Sequence, residues 1–173
     1  LAGPGATLQA AVQARAQPST QPVLRLLRKR PDLGVDGLSP SRWITRSRPK
    51  VDRIACAWLI RRFIDPDASI RFVAREQALA VAQAEGAVAF DVYGGPITHQ
   101  WERCSFDALL QAFGLDDPVL TAMARIVRAA DTTRLSVAPQ AAGLLAVSLG
   151  LSQHHGGDDD GMLRSASALY DGL

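Results

Sequence analysis

The segment 51–64, VDRIACAWLIRRFI, constrains the fold more than any other stretch of the chain. Only Asp52, Arg53, Arg61 and Arg62 interrupt it with polar groups, so a helix built from it has no broad face to offer to water. Pro49 can occupy the first helical position, and Asp52 then falls in the first turn, where a carboxylate meets the helix dipole favourably. Such a helix has to be surrounded, and the rest of the chain must supply the elements that cover it.

Those elements are legible as periodicities. SIRFV (69–73) and AVAFDVY (87–93) alternate as strands and flank a helix over about 75–84, while Ile97, His99 and Trp101 alternate along a third strand. Phe106, Leu109, Leu110 and Phe113 follow helical spacing, as do Val119, Met123, Ile126, Val127 and Ala130. Pro139 opens a further helix through Leu144, Leu145 and Leu151, and HHGGDDD leads into a last one carrying Met162, Ala166, Leu169 and Tyr170. The expected architecture is helix-rich α+β: a small sheet of about three strands with five or more helices packed around it.

With 173 residues, 47% of them apolar and 21% charged, the chain has the mass for one domain with a small appendage. Residues 1–42 read as that appendage or linker, with short helices at 7–15 and 21–30, and 43–173 as the compact domain. Two cysteines are too few for a disulfide framework, which points to a reducing cytoplasm. No run of about 18 apolar residues exists to span a membrane. The first residue is Leu rather than Met, and further sequence is expected upstream. The formal net charge of +2 conceals a division: residues 1–75 hold 14 of the 19 Lys and Arg, residues 76–173 hold 12 of the 17 acids. The basic half either attracts an anion or nucleic acid, or is neutralised by the acidic half within one fold.

Several residues could carry chemistry. His99 is a metal ligand or acid–base group by type, or else a buried histidine satisfied by one hydrogen bond. Cys104 lies just before the helix that Phe106 begins, with Ser105 between them as a candidate cap, and a thiol at a helix N-terminus is expected to have a depressed pKa, making it a nucleophile or ligand. Asp131 falls on an inward side of its helix and needs a cation, either an arginine such as Arg53 or a metal. Asp52 is a dipole partner, a ligand or a base. Arg46, Arg48, Lys50 and Arg53 form a basic cluster suited to an oxyanion, helped by the N-terminus of the 51–64 helix. His154 and His155 precede GGDDD, whose acids read as helix-start residues. No Walker loop, dinucleotide fingerprint, HExxH or serine elbow is present.

In order along the chain, WITRSRPKVDRIACAWLIRRFIDPDA, FDVYGGPITHQWERCSFDALLQAFGL, ARIVRAADT and APQAAGLLAVSLGLS resemble the C-terminal domain of the ChrB chromate-resistance family, from Trp43 to Leu173. Residues 1–42 resemble the connecting region of sulfurtransferase/chromate-resistance fusions, which implies a sulfurtransferase domain upstream. Carried over by motif, Asp52, Arg53, His99, Cys104 and Asp131 are the functional positions. Arg128 and Gln140 depart from the His and Glu that the resemblance leads one to expect, each removing a ligand. The resemblance implies a cytoplasmic metal- or oxyanion-binding domain serving chromate resistance, with a divalent transition metal or small anion as partner and redox chemistry at Cys104. Two other functions compete: a DNA-binding regulator of a chromate-resistance operon, which the scarcity of interleaved aromatics disfavours, and a small enzyme with His99 as acid–base and Cys104 as nucleophile.

Overall fold

The structure, a computed structural model, describes residues 29–35, 37 and 40–173. Apart from residues 29 and 30, the short helices expected at 7–15 and 21–30 lie outside the described residues. Among the described residues, six α-helices and a three-stranded parallel sheet make a helix-rich α+β domain.

Strand β1 (Arg42–Arg46) is followed by helix α1 (Val51–Leu59), which runs on through a π-helical turn over Ile60–Ile64. The turn is marked by Asp65 N–H reaching Ile60 C=O at 2.8 Å, and Pro66 prevents the helix from continuing past it. Strand β2 (Ser69–Val73), helix α2 (Ala78–Glu85) and the two-residue strand β3 (Val88–Ala89) come next. Both neighbours pair with β1 in parallel, in the order β2-β1-β3: Trp43 lies opposite Ile70 on one side and Val88 on the other. Each parallel pair requires a crossover, and α1 and α2 provide them.

Helices α3 (Ser105–Phe113), α4 (Pro118–Asp131), α5 (Ala141–His155) and α6 (Asp159–Asp171) complete the chain. Helix α1 packs against all four, which is why its sequence is apolar on nearly every side. The larger core lies on that face of the sheet, where Trp43 meets Phe90 and Phe113 at ring-centroid distances of 6.2 and 6.0 Å. A smaller core of Ile44, Ala78, Ala82, Ala89 and Val92 lies on the other face beneath α2. Asp65 is fully buried and ties the start of β1 to the end of the long helix by accepting from Ser41 N–H and Oγ–H, each at 2.6 Å.

Two sequence expectations are corrected. The strand at 42–46 was missed because a central parallel strand is buried on both faces and shows no alternation: Trp43, Ile44 and Thr45 are all buried. The third strand expected at 97–101 does not form. Ile97 makes only an isolated bridge to Phe90, and residues 100–103 close a tight turn. Trp101 is fully exposed with φ 58°, so it shares no strand face with Ile97 or His99.

A candidate metal centre of carboxylates around one imidazole

Asp52 sits in the first turn of α1 but serves α3. Its carboxylate, 2% exposed, accepts Ser105 N–H on Oδ2 at 2.8 Å and Phe106 N–H on Oδ1 at 3.0 Å. It thereby satisfies two of the four amides that a helix start leaves without partners. Locally, Cys104 occupies the N-cap position, and Asp107 reaches back to accept Cys104 N–H at 3.0 Å.

Asp91 follows β3 with φ 49°, a left-handed conformation that is uncommon outside glycine and concentrates at functional sites. Its Oδ2 receives Arg46 Nη2 at 2.8 Å and Arg53 Nε at 2.7 Å, and its Oδ1 receives Ser105 Oγ–H at 3.0 Å. Arg46 Nε also donates to the Asp91 carbonyl at 2.8 Å. The other end of the Arg53 guanidinium donates to the Arg46, Ser47 and Arg48 carbonyls.

His99 brings the acids together. Its Nε2 lies 3.0 Å from Asp52 Oδ2, 3.5 Å from Asp91 Oδ1 and 3.6 Å from Asp131 Oδ2. The donor atoms of Asp52, Asp91 and His99 all fall within 4.8 Å of one another. The His99 side chain is 42% exposed, so the buried carboxylates have an opening to solvent on the imidazole side.

The charges are unequally balanced. Burial penalises the ionised form of Asp52, but the His99 contact and the two α3 amides hold its carboxyl below the usual range. The Asp52 bond raises the His99 pKa. Asp131 is the group left over: burial, reinforced by the charges of Asp52 and Asp91, pushes it up to about 6.

The structure thus gathers Asp52, His99 and Asp131 and adds Asp91, which the sequence reading overlooked. The available signal was an acid embedded in an otherwise apolar run, Val88-Ala89-Phe90-Asp91-Val92, just before Gly94-Gly95. Of the two partners open to Asp131, an arginine such as Arg53 or a metal, Arg53 is not the one, since it pairs with Asp91. Arg46 and Arg53, expected to receive an oxyanion, receive that same carboxylate. Arg48 and Lys50 line a separate cleft of about 380 Å³ with His155 and Asp158. The thiolate expected at Cys104 is also corrected. The residue is fully buried, burial and the Asp52 charge push its thiol up, and Sγ–H donates to Asp107 Oδ2 at 3.3 Å. Cys56 lies 3.8 Å from Asp52 Oδ1, also buried and raised. His155 bonds Ser165 Oγ at 2.9 Å, and Asp158 caps α6 by accepting Gly161 N–H at 2.9 Å.

Fold and cluster define a helix-rich α+β domain built over a carboxylate–imidazole centre, with one carboxylate clamped by two arginines. The family model for the ChrB C-terminal domain matches residues 43–173, and the chain belongs to that family. It is 37% identical over 132 residues to "Protein ChrB" of Cupriavidus metallidurans, an alignment that covers 76% of this chain and 39% of that relative. The chain therefore spans about two fifths of the length of the curated relative it matches. No solved structure matches it. Membership associates the chain with chromate resistance. Among the described residues, no helix is long and apolar enough to cross a membrane.

Proposed function

We propose that this domain binds a divalent transition-metal ion through Asp52, Asp91 and His99, with Asp131 at the rim, and that the bound ion serves the chromate-resistance role of the family. One observation carries the reading: three carboxylates converge on a single imidazole nitrogen within 3.0 to 3.6 Å. Arg46 and Arg53 answer only the charge of Asp91, and an imidazolium can answer one more. A dication in place of the imidazole proton would lie against the two carboxylates that these arginines do not reach, Asp52 and Asp131. Imidazole nitrogen with carboxylate oxygen suits Mn, Fe, Co, Ni or Zn, whereas Mg and Ca prefer all-oxygen sets. The Asp91 clamp and the amide bonds to Asp52 act as the outer contacts that orient metal ligands.

Elemental analysis of protein purified without chelator, followed by titration of stripped protein with Zn²⁺, Mn²⁺ and Ni²⁺, tests the proposal. We expect roughly stoichiometric binding of at least one ion, weakened about 10- to 100-fold or more in His99→Ala and Asp52→Asn. Absence of metal from the purified protein, together with no saturable uptake of any of the three ions, refutes it.

A further inference from the structure

We propose that a second cleft, walled by Arg103, Arg128 and Arg134, binds a small oxyanion of the carboxylate or phosphate type, whatever the His99 centre holds. The cleft measures about 370 Å³, within the range that accommodates small ligands. Ala129 and Val137 supply apolar lining, and Glu102 is the one acid among its lining residues. Three arginines and one glutamate line it, and with Asp107 paired to Arg128 the group still carries a net positive charge.

The three arginines are held more loosely than those at Asp91. Arg134 pairs with Glu102 at 3.1 Å, but both side chains are largely exposed, and a pair so hydrated yields readily to an arriving anion. Arg128 places Nη1 on Asp107 at 3.0 Å, so part of its fork remains for a second acceptor. Arg103 has only the Gln111 amide oxygen at 3.5 Å, and among the described residues no carboxylate lies within ion-pair distance of it. In the last turn of α4, Arg128 would favour the helix dipole on its own account. That reason does not extend to Arg103 and Arg134, which come from outside the helix.

The scaffold is firm. Gln100 and Arg103 exchange backbone hydrogen bonds at 3.0 and 2.9 Å, which fixes the turn carrying Arg103, and Arg128 is anchored on α4. Arginine forks presented on fixed backbone are the arrangement that recognises planar or tetrahedral oxyanions through paired donors. Arg103 and Arg128 also line an adjoining cleft of about 530 Å³ between α3 and α4, so an anion held here has room for a larger body to extend.

Calorimetric titration of the metal-stripped whole chain with inorganic phosphate, and separately with succinate, tests the assignment at low ionic strength. We expect saturable one-site binding of at least one anion, with the stronger arm identifying the phosphate or carboxylate class. The exposed double variant Arg103→Gln/Arg134→Gln should lose affinity about tenfold or more, keep its circular dichroism spectrum, and still bind metal like the parent. That last readout separates failure of this cleft from failure of the His99 centre. No saturable heat with either anion, or equal affinity in the double variant, overturns the proposal.

Discussion

At Asp131, burial and the charges of Asp52 and Asp91 push the carboxyl up to about 6, against the pull of His99. Its folded value therefore lies above the unfolded value of 3.8, and the metal-free fold loses stability as pH rises through that window. His99, also raised, acts in the same direction: its contribution is full below the unfolded value of 6.5 and fades as pH climbs through the folded one. Asp52 opposes both, since its lowered carboxyl stabilises above the unfolded range and loses that effect on acidification. Asp131→Asn should accordingly melt like the parent near pH 4 but be more stable by about 1–2 kcal/mol at pH 7 without metal, discounting for partial exposure. Thermal scans across pH would show it, and a variant less stable at pH 7 would contradict it. The cysteines give a second test at this scale. Both thiols are buried and raised, so iodoacetamide at pH 8 should modify Cys104 only as the protein unfolds. Rapid labelling of the native protein, read by mass spectrometry, would restore the nucleophile reading that the structure corrects.

Among the elements, α3 depends on a cap it does not own. Asp52→Ala would leave Ser105 and Phe106 N–H buried without acceptors and should cost about 2–4 kcal/mol in denaturant unfolding. Asp52→Asn, which keeps one oxygen, should cost less; equal losses would mean that charge alone matters. Strand β1 holds the converse fault. Among the described residues, Thr45 Oγ1 is buried without a hydrogen-bond partner, so Thr45→Val, nearly the same shape, should raise stability by about 1 kcal/mol. A decrease would reveal a contact to the hydroxyl. These two elements also show where the sequence was readable. The α1 segment was legible because burial on all sides removes polar residues from every helical position. Helices α3, α4 and α6 were legible because one-sided burial imposes a 3.6-residue beat, whereas α5, with Val147 and Leu149 exposed, was marked only by Pro139 and its run of leucines. Strand β1, buried on both faces, had no beat to find, and Ile97-x-His99-x-Trp101 had a two-residue beat that Pro96 and the turn at 100–103 convert into loop. Within the site, His99, Asp52 and Asp131 stood out as polar groups on apolar patterns. What the sequence could not assign was pairing: whether Arg53 would meet Asp131 or Asp91 depends on packing between distant segments.

For the molecule as a whole, the opposed charges of the two halves meet at several points among the described residues. Arg46 and Arg53 close on Asp91, Arg62 meets Asp171 at 3.5 Å, and Arg71 pairs with Glu85. Duplex DNA should therefore bind this chain weakly, without sequence preference, and with an affinity that falls steeply between low and physiological salt. Fluorescence anisotropy across a salt series would check this, and tight sequence-dependent binding would favour the regulator reading instead. The cap that α1 lends to α3 also bears on how the molecule comes to be. Its two amide bonds join residues 53 and 54 positions apart, and His99 meets Asp52 across 47. Contacts closed over such distances form late, after local helices have already appeared. Helix α3 thus remains without its α1 cap, and the His99 centre unassembled, until α1 docks. A chain emerging from the ribosome would display the acids of the centre separately, and the centre would come into existence only as folding finishes.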